Sequence, residues 1–145
     1  MNREKKTVLV IEDEQEVNEA IGFILGESGY MPVSAFTGED GIELARGNQP
    51  DVIILDLVLD RTNTRIDGIE VCRRLMADDK TKSIPVIVVT CKSDLSTKLS
   101  SFVAGAKRYI TKPFDNAELV HEVQRALRQR DLRGKDIELP TDPRD

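Results

Sequence analysis

Short apolar runs alternate with longer stretches of helical periodicity along the chain. The runs are rich in β-branched residues and predict five strands, at 7–11, 31–35, 52–55, 85–90 and 107–110. Three of these runs are almost continuously apolar, which is typical of parallel strands covered on both faces. The pattern therefore predicts a parallel sheet buried between layers of helices.

The stretches between the runs carry apolar residues at intervals of three and four. This spacing predicts a first helix around 17–25 and a last helix around 119–127, with shorter helices at 38–46, 68–76 and 94–103. Helix-ending residues support two of these boundaries, with Gly29 after the first helix and Gly47 and Asn48 after the second.

Strict alternation of strands and helices requires right-handed crossovers and a doubly wound sheet. We expect an α/β fold with a five-stranded parallel sheet, a flavodoxin-like three-layer sandwich with strand order 2-1-3-4-5. One domain is predicted over residues 5–130. Residues 131–145 contain two prolines and many charges without an apolar period, which indicates a charged tail or a linker stub.

Composition excludes several functional classes. The 145 residues fit one domain, and 39% apolar with 32% charged residues is a globular balance. The formal charge of −5 gives no attraction to nucleic acid or to anionic membranes. No apolar run approaches the roughly 18 to 20 residues of a membrane span. Cys72 and Cys91 are expected to be buried free thiols, as in a reducing compartment. We therefore expect a cytoplasmic location, with cations and proteins as partners.

Polar residues stand where the predicted strands end. Glu12 and Asp13 follow the first strand, Asp56 follows the third, Thr90 ends the fourth, and the fifth leads to Lys112. Because ligands of open α/β sheets bind beyond the carboxyl ends of the strands, these side chains are expected to converge. Three carboxylates repel one another unless a cation lies among them, and Mg²⁺ prefers oxygen ligands. The sequence therefore predicts a magnesium site.

Asp56 directly follows an apolar strand, so its carboxylate could attack phosphorus and become an aspartyl phosphate. Lys112 could then neutralise the transferred group while Thr90 donates a hydrogen bond to it. Taken singly, each residue has a simpler interpretation, since Asp and Thr are common at strand ends as helix caps. Their joint placement is what favours chemistry.

Five segments of the chain resemble the receiver domain of bacterial two-component response regulators. They are VLVIEDE, VIILDL, IDGIEVCRRL, IPVIVVT and GAKRYITKPF, in the order in which the family has them, and the resemblance covers about residues 5–130. The separation of Thr90 and Lys112, 112 − 90 = 22 residues, also agrees with the family pattern. The resemblance implies a CheY-like fold and a part in phosphorelay signal transduction.

The resemblance implies that Asp56 accepts a phosphoryl group from a sensor histidine kinase or a phosphotransfer protein. It also implies a metal set in which Asp13, Asp56 and the backbone carbonyl of Val58 bind Mg²⁺ directly, while Glu12 acts mainly through water. Such a module catalyses its own phosphorylation and dephosphorylation and is not an enzyme in the usual sense.

The same resemblance assigns a switch. Thr90 and Lys112 would contact the phosphoryl group, and the ring of Tyr109 would turn inward as Thr90 moves towards it. Tyr109 is otherwise a half-buried strand aromatic. The face formed by the fourth helix, fifth strand and fifth helix would bind a downstream protein. The peptide bond before Pro113 is expected to be cis.

Kinase contacts are expected at the start of the first helix and after the fifth strand. The resemblance places them at Glu14, Val17, Pro113 and Phe114. Val17 has an equally good interpretation as a core residue of the first helix.

The chain departs from the family in the loop after the acceptor. Asp67 lies 67 − 56 = 11 residues after Asp56, an excess of four, and the extra residues fall within 60–65. They could contact a dedicated kinase, but a tolerated surface insertion is favoured because loops accept extra residues at little cost. Glu12 replaces the usual Asp. Val58 and Lys92 cannot easily orient an attacking water, which predicts slow self-dephosphorylation.

Other functions fit the residues of this chain less well. A haloacid-dehalogenase-like phosphatase needs a second Asp two residues after the nucleophile, where this chain has Val58. A pseudo-receiver that only binds partners would have lost an acidic ligand or the acceptor, and all are present. A stand-alone regulator is favoured over the N-terminal receiver of a larger regulator with an output domain, although residues 131–145 fit either.

Overall fold

The computed structural model describes residues 5–59 and 66–134. Strands and helices alternate throughout the described part of the chain. The strands are β1 (Thr7–Ile11), β2 (Met31–Ala35), β3 (Val52–Leu55), β4 (Val86–Thr90) and β5 (Arg108–Thr111). The helices are α1 (Gln15–Glu27), α2 (Gly38–Asn48), α3 (Gly68–Ala77), α4 (Leu95–Val103) and α5 (Asn116–Gly134).

These strands form one parallel sheet in the order β2-β1-β3-β4-β5. The predicted α/β fold and strand order are therefore confirmed. Every residue of β3 and β4 is buried, as their continuous apolar runs predict for central parallel strands.

The sheet separates two apolar cores because successive strand side chains point to opposite faces. In β1, Leu9 and Ile11 pack on one face with side chains of α2 and α3. Val8 and Val10 pack on the other face with side chains of α1 and α5. Burying one such aliphatic side chain contributes about 1.5 to 3 kcal/mol. The sandwich of helix, sheet and helix holds the carboxyl ends of the strands in fixed positions.

Helix ends differ from the sequence-based prediction in two places. α2 continues through Gly47 and Asn48 and ends when Gln49 adopts a left-handed conformation with φ of 53°. The Gln49 side chain donates hydrogen bonds to the carbonyls of Ala45 and Arg46, which caps the helix without a glycine. After α1, Gly29 does adopt positive φ, at 93°.

α5 runs four residues past the predicted boundary at 130. The guanidinium of Arg130 donates to the carboxylate of Asp51 at 2.8 Å, and that carboxylate accepts the Thr7 backbone N–H at 2.8 Å. This contact ties the last turns of α5 to the sheet, a long-range constraint that local periodicity does not reveal. None of the helices in the described ranges is long and apolar enough to cross a membrane.

The two cysteines differ in exposure. Cys72 is buried in α3, as predicted, whereas Cys91 is exposed. The prediction for Cys91 is wrong because β4 ends at Thr90, so the next residue already lies outside the sheet.

Gly68, the first residue of α3, packs directly against the backbone that carries Asp56. A Cβ atom at Gly68 would lie 2.4 Å from the Leu57 Cα and 2.5 Å from the Asp56 carbonyl oxygen, and backbone atoms cannot move aside as a flexible side chain can. A tight helix-to-loop contact therefore requires glycine here.

We expect Gly68→Ala to lower the free energy of unfolding by about 2 to 3 kcal/mol. The matched control is Gly26→Ala in α1, where an added Cβ meets nothing within 4 Å. That change should raise the stability by about 0.5 to 1 kcal/mol. Urea unfolding followed by circular dichroism measures both. Equal stability of the two variants would contradict the packing argument.

Candidate functional site

The acidic residues lie at the carboxyl edge of the sheet because backbone hydrogen bonds extend the strands by one residue. The N–H of Glu12 donates to the Ala35 carbonyl at 3.1 Å, and the N–H of Asp56 donates to the Ile11 carbonyl at 3.0 Å. Glu12 is 2% exposed and Asp56 is 3% exposed, while the neighbouring Asp13 is 8% exposed. Glu12, Asp13 and Asp56, from two adjacent strands, are thus held at one largely buried edge of the sheet. These three residues form the acidic edge.

Lys112 joins two of these carboxylates. Its Nζ lies 2.6 Å from Glu12 Oε1 and 2.8 Å from Asp56 Oδ2. The Lys112 backbone N–H donates to the Thr90 carbonyl at 2.8 Å, which fixes the residue against the end of β4. The Lys112–Pro113 peptide bond is cis, as the resemblance implies. The structure therefore brings Glu12, Asp56 and Lys112 into direct contact from segments far apart in sequence.

Burial and the shared lysine set opposite pKa shifts on the two bridged carboxyl groups. Burial raises the pKa of Glu12 to about 7, only partly opposed by its hydrogen bond with Lys112. Burial also disfavours ionised Asp56, but the hydrogen bonds from Lys112 and the Val58 N–H outweigh it and lower the pKa of Asp56. The bonds to both carboxylates likewise overcome burial and raise the pKa of Lys112. The two shifts are opposite in direction and favour the ionised form at Asp56 over the ionised form at Glu12.

The donor set fits a hard divalent cation. With all groups ionised, three carboxylates and one ammonium carry −3 + 1 = −2, which a cation of charge +2 would neutralise. Among the described residues, no three His, Cys, Asp or Glu side chains are arranged to hold a metal ion as they stand. Carboxylate oxygens are the ligands that Mg²⁺ prefers, and this ion takes few of them because it keeps several waters.

Val58 follows the acidic edge and orients the carboxylate of Asp56. Its backbone N–H donates to Asp56 Oδ1 at 3.0 Å, so each Asp56 oxygen accepts a separate hydrogen bond. The metal role of the Val58 carbonyl remains a prediction. The long loop at 60–65 lies outside the described residues.

Thr90 and Tyr109 flank the acidic edge on the β4 and β5 side. Thr90 is fully buried at the end of β4. The hydroxyl of half-buried Tyr109 donates to the carbonyl of Lys92, two residues after Thr90. Its ring lies 6.3 Å from that of Phe102, centroid to centroid, and 5.8 Å from the Lys98 Nζ. Tyr109 thus ties the β4–α4 loop and α4 to the strand next to Thr90.

The residues expected to contact a kinase have unequal surroundings. Glu14 is half-buried before α1, and its N–H donates to Glu12 Oε2 at 3.0 Å. Pro113 is exposed. Val17 and Phe114 are partly buried against the core between the sheet and helices α1 and α5. Packing therefore accounts for part of the surface of these two residues.

Sequence reasoning missed Asn18, which is fully buried in α1. Its Nδ2 donates to the carbonyls of Glu12 at 3.1 Å and Ala35 at 3.0 Å, and also contacts that of Val10 at 3.2 Å. Its Oδ1 accepts the Ser34 hydroxyl at 2.6 Å. Asn18 thus holds the ends of β1 and β2 and the main chain of Glu12. The available signal was a polar residue in helical phase with the apolar residues Ile21 and Leu25.

Comparison with known proteins agrees with this geometry. The family model for the response regulator receiver domain matches residues 8–124. The chain is 37% identical over 124 residues to the DNA-binding dual master transcriptional regulator RpaA of Synechocystis, covering 86% of this chain and 50% of RpaA. It is 36% identical to the phosphate regulon transcriptional regulatory protein PhoB of Pseudomonas aeruginosa, covering 86% of this chain and 52% of PhoB. The chain therefore spans about half the length of these relatives.

Solved structures show the same architecture. A putative response regulator from Chloroflexus aurantiacus superposes with a TM-score of 0.80 at 34% identity, covering 86% of this chain and 99% of that one. A CheY-like receiver domain protein from Methanospirillum hungatei superposes with a TM-score of 0.81 at 22% identity, covering 90% and 99%, and shows the fold alone. With the family model matching most of its length and with these relatives, the chain belongs to the response regulator receiver domain family.

Proposed function

We propose that this chain accepts a phosphoryl group on Asp56 from the phosphohistidine of a sensor histidine kinase or a phosphotransfer protein. The observation that carries the proposal is the Asp56 carboxylate, buried at the end of β3 and held ionised by Lys112 and the Val58 N–H. Receiver domains generally interact with histidine kinases, and this family is one of signalling switches.

The chemistry follows from an ionised carboxylate with a neighbouring ammonium. A carboxylate oxygen of Asp56 attacks phosphorus, the P–N bond to the donor imidazole breaks, and the imidazole leaves with its electron pair and takes up a proton. Lys112, which already contacts Asp56 at 2.8 Å, places its positive charge beside the transferred group. The Thr90 hydroxyl is the further donor at this edge.

Receiver domains generally bind Mg²⁺ at the acidic phosphorylation site, and the carboxylates of this chain suit the same ion. Asp13, Asp56 and the Val58 carbonyl would hold the ion directly, and Glu12 would act through water. When bound, Mg²⁺ supplies positive charge that offsets the negative charge of the phosphoryl oxygens. The negative charge that this edge carries when its carboxyl groups are ionised supports the assignment.

Phosphorylation adds roughly −1.5 to −2 charges and three acceptor oxygens at Asp56. Thr90 and Lys112 respond to that charge, and Tyr109 links the response to α4 through Lys92 and Phe102. The face of α4, β5 and α5 would then bind a downstream protein. The extent of the change is limited by the preference of the phosphoryl group for one conformation.

The module acts in the cytoplasm in this proposal, either alone or as the receiver of a larger regulator with an output domain. The second arrangement is supported by the relatives, whose length this chain half spans. Both arrangements use the same acceptor and switch. A pseudo-receiver is disfavoured by the presence of Asp56, Lys112 and Thr90, and a dehalogenase-like phosphatase by Val58 in place of an acid.

We expect one phosphoryl group to be added by a small phosphodonor with Mg²⁺, as measured by intact mass. Asp56→Ala should abolish the addition because Glu12, the other buried carboxyl paired with Lys112, has its pKa raised to about 7, whereas the pKa of Asp56 is lowered. The matched control, Asp79→Ala, removes a carboxylate that is 92% exposed and should be phosphorylated like the wild type. Unchanged labelling of Asp56→Ala would rule out the assignment of the acceptor.

The phosphorylated chain should lose its phosphoryl group slowly because an apolar side chain at 58 cannot orient an attacking water. Val58→Asn should shorten the lifetime about tenfold, which corresponds to about 1.4 kcal/mol in the barrier. Val58→Leu keeps the apolar character and should decay like the wild type. Decay in Mg²⁺ is followed by intact mass, and an Asn variant no faster than wild type would contradict the explanation.

A further inference from the structure

An open apolar groove of about 660 Å³ lies between α3 and α4. No residue of the acidic edge lines it. Its lining combines Met76 and Ala77 of α3 with Leu99, Ser100 and Val103 of α4. Arg73 forms part of the wall. Tyr109 contacts α4 at Phe102 and Lys98, whereas the groove is lined from α4 by Leu99, Ser100 and Val103 and includes no residue of β5 or α5.

α4 presents its apolar residues to solvent. Leu95, Leu99, Phe102 and Val103 follow the spacing of a single helical stripe. Their exposed fractions are 69%, 54%, 38% and 88%, whereas the residue that α4 buries completely is the polar Ser101. By contrast, α1 directs Ile21 and Leu25 into the core. A continuous exposed apolar stripe marks a surface that another molecule covers.

The side of the groove formed by α3 can adapt its shape. The flexible Met76 side chain packs against Gly105, where an added Cβ would lie 2.2 Å from the Met76 Cγ. Gly105 also has a φ of 118°. The turn after α4 therefore requires glycine for two reasons, its backbone conformation and its contact with Met76. An unbranched thioether can rearrange to fit different apolar partners.

The charged residue in the groove lining is the cation Arg73, although the chain carries −5 overall. The side chain of Arg73 is 63% exposed, and it shares the single carboxylate of Glu70 with Arg74. Lys107 is exposed and lies two residues after Gly105, which packs against Met76 of the groove lining. Lys98 adds a positive charge on the other side of the α4 stripe.

We propose that the α3–α4 groove binds an amphipathic helix of a partner protein, in which an apolar ridge is flanked by acidic residues. Two neighbouring helices offer ridges and a channel but no free backbone edge, so a helix fits better than an added strand. The stripe from Leu95 to Val103 spans nine residues, a rise of about 12 Å, or two turns of the partner. Charge complementarity with Arg73, Lys98 and Lys107 selects an acidic partner.

The groove is open in the unphosphorylated chain, so the proposal does not depend on the chemistry of Asp56. A second copy of the chain is the alternative occupant to exclude, since α1 exposes Phe23 beside acidic residues. The test must therefore separate a partner helix from self-association.

The probe is a synthetic helical peptide of about 16 residues, long enough to form a helix, with leucines at i, i+4 and i+7 and glutamates on both flanks. Its labelled form is titrated with the full chain and followed by fluorescence anisotropy. A peptide with the same leucines and lysine flanks should bind at least tenfold more weakly. Arg73→Gln should weaken binding of the acidic peptide and reduce its salt dependence.

Val103→Glu should reduce binding of the acidic peptide at least tenfold, and because Val103 is 88% exposed the chain should still fold. The matched control is Phe23→Glu, a change at a 69% exposed apolar residue of α1, which should bind like the wild type. Amide NMR shifts on titration should concentrate in α3 and α4.

Equal affinity for the two peptides, or undiminished binding by Val103→Glu, would overturn the proposal. The groove would be assigned to a second copy of the chain by a different set of results. The wild type would self-associate in sedimentation, both Val103→Glu and Phe23→Glu would lose that self-association, and the peptide would not bind. Phosphorylation of Val103→Glu, measured by intact mass, separates this proposal from the proposed function, because the variant should lose peptide binding and still be phosphorylated. Conversely, if Asp56 is not phosphorylated in the wild type, the peptide should still bind, because the groove is an independent site.

Discussion

The double ion pair of Lys112 with Glu12 and Asp56 is the interaction on which the carboxyl edge of the sheet depends. It joins the ends of β1 and β3 to the segment after β5, at distances of 2.6 and 2.8 Å. A buried pair of this kind has a large desolvation cost, and removing one partner leaves an uncompensated charge. The same contact lowers the pKa of Asp56, whereas burial raises the pKa of Glu12 against the effect of Lys112, so the ionised form is favoured at Asp56.

The acidic edge also depends on close contacts without charge. Asn18 binds the main chain at the ends of β1 and β2, and Gly68 lets α3 approach the backbone of Asp56 within reach of a backbone hydrogen bond to Leu57. These residues touch no ionised group of the site. They fix the positions of Glu12 and Asp56 through the packing of the sheet, so the groups of the site are preorganised.

α4 has the opposite character. Its exposed apolar stripe and its single fully buried side chain leave it with less packing than α1 or α5, so less free energy opposes its movement. Tyr109 links it to the β4 side of the acidic edge, through the Lys92 carbonyl on one side and the Phe102 ring on the other. In the proposed function, this loosely packed helix would carry a change at Asp56 to a bound protein.

Much of this could be predicted from the sequence because the strand order follows from alternating periodicities, and residues that end parallel strands must share one edge. The apolar runs therefore determined the fold, and Glu12, Asp56 and Lys112 could be placed together before any coordinates. Only the tertiary structure decided that Asn18 is buried, that Cys91 is exposed and that Arg130 anchors a longer α5. Each of these depends on contacts between residues distant in the chain, whereas periodicity reports only neighbours along it.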